Sequence, residues 1–238
     1  MFPTRDKLTI CFAHAAYQMK ARFDARNTGI NSFQVRSYDE FVQRVGEADV
    51  VSVSGMWKND IIPHAMRLKF IQSISSGMDQ YSKELLGAKG IRLASAAGVN
   101  ARAVAEHALA LILAVYRRLP EARDSQHKKV WRGMLGDLTQ REDELGGKTI
   151  LIVGMGRIGS HLAKLAKAFD MKVIGIRRDP KAGTNGADEI HGMDDVVKLV
   201  PQVDIVALTC ALTPETTGLM SAAAFAAMKP GAIFVSSA

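Results

Sequence analysis

The chain has 238 residues, 47% of them hydrophobic and 23% charged. That is enough to bury a core in one or two domains, and it excludes disordered, collagen-like and disulfide-knot chains. The net charge is +7, but the basic residues are scattered and not interleaved with aromatics, which argues against nucleic acid as a partner. No apolar run approaches the ~18 residues of a membrane span. Leu8–Ala13 is apolar but is cut short by His14, so no signal peptide is expected. Cys11 and Cys210 read as free thiols, and the expected location is cytoplasmic.

From the N-terminus, short apolar runs alternate with helical patterns. Leu8–Ala13, Phe33–Val35, Val50–Val53, Phe70–Ile74 and Ile91–Ala94 read as strands, rich in β-branched and aromatic residues. Ala15–Arg26, Tyr38–Val45, Ile61–Met66 and Tyr81–Leu86 read as the helices between them. This βαβ rhythm predicts an α/β fold with a parallel sheet covered on both faces. A longer helix is predicted over Ala101–Leu119, stopping before Pro120. Val104, Ala108, Leu111, Ile112 and Val115 recur there at helical spacing, with Asn100 as N-cap. Glu121–Lys148 is polar and reads as a short helix and an exposed connection.

A second α/β series follows. Its predicted strands are Thr149–Val153, Lys172–Ile176, Ile205–Leu208 and Ile233–Val235. Its predicted helices are Ile158–Phe169, Asp194–Leu199 and Ser221–Met228. A doubly wound sheet normally continues past its fourth strand, so this second domain is expected to be incomplete at its C-terminus.

The chemistry concentrates in Gly154-Met155-Gly156-Arg157-Ile158-Gly159, a G-x-G-x-x-G placed after a predicted strand and opening a predicted helix. Gly154 permits the tight turn, Gly156 lets the backbone approach a pyrophosphate, and Gly159 lets helix and strand pack closely. The helix N-terminus adds free N–H groups and partial positive charge. Nicotinamide sites that take NAD usually carry a carboxylate at the end of the second strand, for the ribose 2′-OH. Here that strand is followed by Arg177-Arg178, which suits a 2′-phosphate. NADP(H) is therefore expected over NAD(H). The competing reading is a pair of solvated surface arginines, and Asp179, beside Pro180, is placed to cap a turn. His14, His64, His107, His127, His161 and His191 are isolated, and no metal set is expected. Glu106 and His107 are adjacent on a helix, point about 100° apart and do not naturally meet.

Several segments resemble the D-isomer-specific 2-hydroxyacid dehydrogenase family. They are Ser75-Ser76-Gly77-Met78-Asp79; Gly98-Val99-Asn100 leading into Val104-Ala105-Glu106-His107-Ala108-Leu109; Leu145-Gly146-Gly147-Lys148 through the glycine fingerprint to Arg178; and Leu212-Thr213-Pro214-Glu215-Thr216 with Met228-Lys229-Pro230-Gly231-Ala232. They stand in the family's order and cover most of the chain from Phe70 onward.

The resemblance implies a flavodoxin-like substrate domain over 1–98 and a Rossmann dinucleotide-binding domain over 99–238. It implies hydride transfer between NAD(P)H and a small 2-oxo or 2-hydroxy acid, of the glyoxylate/hydroxypyruvate reductase type that Arg177-Arg178 resembles. It puts the substrate carboxylate on the backbone N–H groups of Ser76 and Gly77, an anion nest. It puts cofactor contacts on Gly154, Met155, Gly156, Arg157, Ile158 and Gly159, on Arg177 and Arg178, and on Thr209-Cys210-Ala211, where Ala211 departs from the family's frequent Pro. The family's catalytic Arg, Glu and His fall beyond Ala238, so the chain as given is expected to be inactive; Glu106 and His107 belong to the linker-helix motif. A homodimer is expected. The rival readings are a nucleotide-sensing protein of the corepressor type and an inactive fragment of a longer dehydrogenase.

Overall fold

The structure, a computed structural model, describes residues 2–237; Ala238, the position after which the catalytic Arg was expected, lies outside them. By internal contacts the chain divides into two units, Met1–Ala97 and Gly98–Ala238.

In the first unit the strands are β1 (Thr9–Ala13), β2 (Asn31–Val35), β3 (Val50–Val53), β4 (Phe70–Ser73) and β5 (Arg92–Ala94). They form one parallel sheet in the order β2-β1-β3-β4-β5, the flavodoxin-like order. Its core gathers Val35, Phe41, Val51, Val53, Trp57, Ile61, Ile71 and Leu86. The helices are α1 (Met19–Asp24), α2 (Tyr38–Arg44) and α3 (Lys83–Ala88). Ser37 and Ser82 cap α2 and α3 by accepting the N–H groups of Glu40 and Leu85.

Two of the expected helices in this unit need correction. α1 is shorter than Ala15–Arg26, because the His14 ring accepts the N–H groups of Ala16 and Tyr17 and holds them out of a helix. Ile61–Met66 forms no α-helix. The chain makes a 3-10 turn at Asn59–Ile61 and then successive turns bonded at three-residue spacing, His64 to Ile61 and Ala65 to Ile62. Pro63 has no N–H to give to an α ladder, and the turns still bury Ile61, Ile62 and Ala65.

The second unit holds β6 (Thr149–Val153), β7 (Lys172–Ile176), β8 (Glu189–His191), β9 (Ile205–Leu208) and β10 (Ile233–Ser236). Its parallel sheet runs β10-β9-β6-β7-β8, the doubly wound Rossmann order, which reverses direction between β6 and β9. The pleat of β6 sends Ile150 and Ile152 into one core and Leu151 and Val153 into the other. The first core is closed by α4 (Ala101–Tyr116) and α6 (Arg157–Ala168), through Ala105, Ala108, Ile112, Leu162, Ala163 and Ala166. The other face carries α7 (Val196–Leu199) through Val196 and Leu199. α5 (Leu119–His127) and α8 (Ala222–Ala226) complete the set. No helix among the described residues is long and apolar enough to cross a membrane.

The long helix stops earlier than expected, at Tyr116, and a separate helix begins at Leu119. Pro120 has no N–H for the Tyr116 carbonyl. That carbonyl accepts instead from Asp143 N–H at 2.9 Å, while Arg118 turns the chain in a left-handed conformation, φ 47°. Asn100 occupies the N-cap position of α4 but its side chain makes no capping bond. β8 was not anticipated: its three residues are polar at both ends and place only Ile190 against the sheet, beside Gly175.

Candidate functional site

The glycine fingerprint lies at the carboxyl end of β6, where the second sheet reverses direction. Gly154 takes φ 111°, and a Cβ there would meet the Cys210 nitrogen at 2.5 Å. The turn after β6 and the end of β9 are therefore in direct backbone contact. Thr209, which is buried, ties them further: its hydroxyl donates to the Gly154 carbonyl at 2.8 Å and its N–H to the Val153 carbonyl at 2.9 Å. A Cβ on Gly159 would come within 2.3 Å of the Gly154 carbonyl oxygen, so α6 packs as closely as the motif requires.

Gly156 differs from its two neighbours in the motif. Its φ is −84°, and a Cβ would meet nothing within 4 Å. Neither backbone nor packing demands glycine here; a side chain would only fill the open space over the turn. Among the described residues, the N–H groups of Ile158 and Gly159 have no intramolecular acceptor. Free donors at the start of a twelve-residue helix, beside an open glycine, fit a dinucleotide pyrophosphate.

The other predicted positions take varied parts. The Met155 side chain is buried against Gly175, and its N–H, like that of Gly154, donates to the Ile176 carbonyl, so Met155 supports the turn from below. Arg157 folds its guanidinium against the backbone of Gly98. Arg177 is half-buried and its Nη1 donates to the carbonyls of Ala182 and Gly183, at 3.1 and 2.8 Å, bracing the loop after β7. Arg178 is exposed. The Glu215 carboxyl is held below its usual range, first by the Thr213 hydroxyl and also by the charge of Arg178. Asp179 caps a turn by accepting Lys181 N–H at 3.0 Å. Cys210 is half-buried, and desolvation pushes its thiol pKa up. Ala211 is exposed and its carbonyl accepts from the Thr216 hydroxyl.

Reading the sequence missed Asn185. Its side-chain amide donates to the Met155 carbonyl at 3.1 Å, fastening the loop after β7 to the glycine turn. The signal was the Asn185-Gly186 pair, a turn dipeptide; both residues have positive φ.

In the first unit, the loop after β4 carries Ser76 and Gly77. Among the described residues their N–H groups have no intramolecular acceptor. The loop is fixed around them: Ser75 N–H donates to Ser73 Oγ at 3.2 Å, and Ala96 N–H to the Ser75 carbonyl at 3.0 Å. A Cβ on Gly77 would press on the Asp79 carboxylate at 2.9 Å. Glu106 and His107 do not form a pair; Glu106 lies 3.8 Å from Arg102 on the exposed side of α4.

The profile of the D-isomer specific 2-hydroxyacid dehydrogenase NAD binding domain matches residues 109–238. D-3-phosphoglycerate dehydrogenase of Methanocaldococcus jannaschii is 33% identical over 205 residues, 84% of this chain and 38% of that protein. Hydroxypyruvate reductase of Thermotoga maritima is 33% identical over 203 residues, 84% of this chain and 63% of that protein. The chain thus spans between about two fifths and two thirds of these relatives' lengths. Among solved structures, a D-isomer specific 2-hydroxyacid dehydrogenase family protein from Aeromonas salmonicida superposes with a TM-score of 0.83 at 25% identity, over 97% of this chain and 72% of that one. The glycine turn at the sheet reversal, the strand order and the profile match agree: the chain belongs to the D-isomer specific 2-hydroxyacid dehydrogenase family, and its second unit carries that family's binding domain for a nicotinamide dinucleotide.

Proposed function

We propose that the protein is a reductase of small 2-oxo acids of the glyoxylate/hydroxypyruvate type, and that it prefers NADPH to NADH. The observation that carries the proposal is the open Gly156 turn beneath the free N–H groups of Ile158 and Gly159. These residues would hold the pyrophosphate, with Gly154, Met155, Asn185 and Thr209 keeping the turn in shape. The bound dinucleotide supplies hydride.

Arg178 supports the NADP preference: it is exposed beside the loop after β7, and no carboxylate stands at the end of that strand. Arg177 contributes by bracing the loop and keeps Nε and Nη2 for a ligand. The free N–H groups of Ser76 and Gly77 support a carboxylate site in 1–98, the part we assign to the substrate domain, with 99–238 as the dinucleotide domain. The protein is proposed to act as a cytoplasmic homodimer.

For the 238 residues by themselves the proposal is narrower. They bind dinucleotide and do not turn over a 2-oxo acid, because the resemblance assigns no residue among them to the catalytic Arg, Glu or His. The test pairs NADPH binding, read by calorimetry, with NADPH oxidation in the presence of glyoxylate or hydroxypyruvate. Binding without turnover is expected. No binding would overturn the functional reading, and turnover would overturn the assignment of the catalytic groups outside these residues.

A further inference from the structure

The first sheet reverses direction at β1, which has β2 on one side and β3 on the other. In open parallel sheets the crevice beyond the strands' carboxyl ends at such a reversal is where ligands bind. The first residue past β1 is His14, half-buried.

Its ring is held by hydrogen bonds at Nδ1 and by stacking on one face. The backbone N–H donates to the Val35 carbonyl at 3.2 Å. Nδ1 accepts the N–H groups of Ala16 at 3.0 Å and Tyr17 at 2.8 Å. The ring stacks on Tyr17 with centroids 3.9 Å apart and planes 8° from parallel. The stacking loop is itself anchored: Gln34 Nε2 donates to the Tyr17 carbonyl at 2.8 Å, and Arg36 donates to the Ala15 carbonyl and to Gln18 Oε1. Because Nδ1 accepts, the proton of the neutral imidazole sits on Nε2. Among the described residues this Nε2–H has no acceptor. It is an oriented donor that no described residue engages.

The neighbouring loops lie along the same sheet edge. Ser54, directly after β3, shares a hydroxyl–hydroxyl bond with Ser75, in the loop after β4 that carries Ser76 and Gly77. Adjacent parallel strands are about 4.8 Å apart, so β1 and β4 stand ~10 Å apart. An imidazole ring and a three-carbon acid together fill such a span.

We propose that His14 is a substrate-selectivity residue: with the acid's carboxylate on Ser76 and Gly77, the His14 Nε2–H donates to a hydroxyl oxygen on C3 of the 2-oxo acid. A neutral N–H suits a hydroxyl. A phosphate calls for cationic partners, and Arg36, a cation touching this loop, has both Nη atoms directed to Ala15 and Gln18. The inference rests on the reductase reading above and assigns the substrate's C3 substituent within it.

The experiment is a calorimetric titration of the 238-residue chain, with and without NADP+, using hydroxypyruvate and, separately, glyoxylate, which has no C3. NADP+ carries no hydride to transfer, so only binding is read. Wild type should bind hydroxypyruvate about tenfold more tightly. His14→Asn keeps an acceptor for Ala16 and Tyr17, but its shorter amide places no donor where Nε2 stood; it should lose that preference and bind glyoxylate unchanged. A second readout needs no variant: the His14 Nε2 resonance in 15N NMR should shift with hydroxypyruvate and stay in place with glyoxylate. Equal wild-type affinities, a preference that survives in His14→Asn, or an unmoved resonance would each overturn the proposal. Absence of binding by both acids would instead overturn the reductase reading beneath it.

Discussion

The Asn185 side chain reaches back from the loop after β7 and donates to the Met155 carbonyl at 3.1 Å. One amide thereby joins the loop bearing Arg177 and Arg178 to the turn that would carry the pyrophosphate. Met155 is locked from two directions, since its N–H is already bonded to the Ile176 carbonyl at 3.0 Å. Asn185→Ala should weaken binding of both NADPH and NADH by about 3–10-fold, the worth of one net hydrogen bond. The thermal midpoint should change little. Calorimetry beside a thermal melt checks this, and unaltered affinity would remove Asn185 from the site.

The glycines of the fingerprint should separate into distinct classes. Gly159→Ala puts a methyl 2.3 Å from the Gly154 carbonyl oxygen, and should destabilise the fold by ~1–3 kcal/mol, lowering the midpoint by ~2–4 °C per kcal/mol. Gly156→Val enters open space and should leave the melt nearly unchanged while abolishing dinucleotide binding. A destabilised Gly156→Val, or one that binds normally, would contradict the role given to that position.

Arg177 and Arg178 should also behave differently. Arg177→Ala releases the carbonyls of Ala182 and Gly183 and should weaken both cofactors. Arg178→Ala should weaken NADPH by ~10–100-fold, the range of a charge-assisted bond, and leave NADH alone. Parallel Kd measurements decide, and a selective effect at Arg177 alone would reverse the assignment.

Much of this was legible in the sequence because local pattern and tertiary role coincide. β6, β7 and β9 are apolar runs buried on both faces, and each was placed with its observed limits. The fingerprint was readable because strand, turn and helix follow in order. What escaped depended on single long-range bonds or on weak apolar signal. β8 shows only Ile190 to the core; α1 is shortened by one imidazole nitrogen; Pro120 ends the long helix three residues earlier than its hydrophobic spacing indicates. Asn185 carries a turn signature, and nothing in the sequence ties it to a residue thirty positions earlier.

Asp204 supplies an acid-dependent contribution to stability. Partial burial raises its carboxyl pKa, but Lys229 Nζ at 2.8 Å and the Thr149 N–H at 2.8 Å outweigh burial and hold it below the ordinary 3.8. A carboxyl depressed in the folded state stabilises above its unfolded value, and the effect fades as pH falls through the folded one. Asp204→Asn should therefore melt lower than wild type at pH 7, with the two curves converging as pH falls through the depressed folded-state value. A gap that persists at acid pH would assign the effect to packing alone.

The role we propose for the turn 154–159 is to hold a phosphorylated nicotinamide dinucleotide. The most direct measurement is titration of the purified chain with NADPH and with NADH under identical conditions. Saturable binding of one dinucleotide per chain is expected, at least about tenfold tighter for NADPH, with its loss in Gly156→Val. Binding of neither cofactor, or tighter binding of NADH, would contradict it.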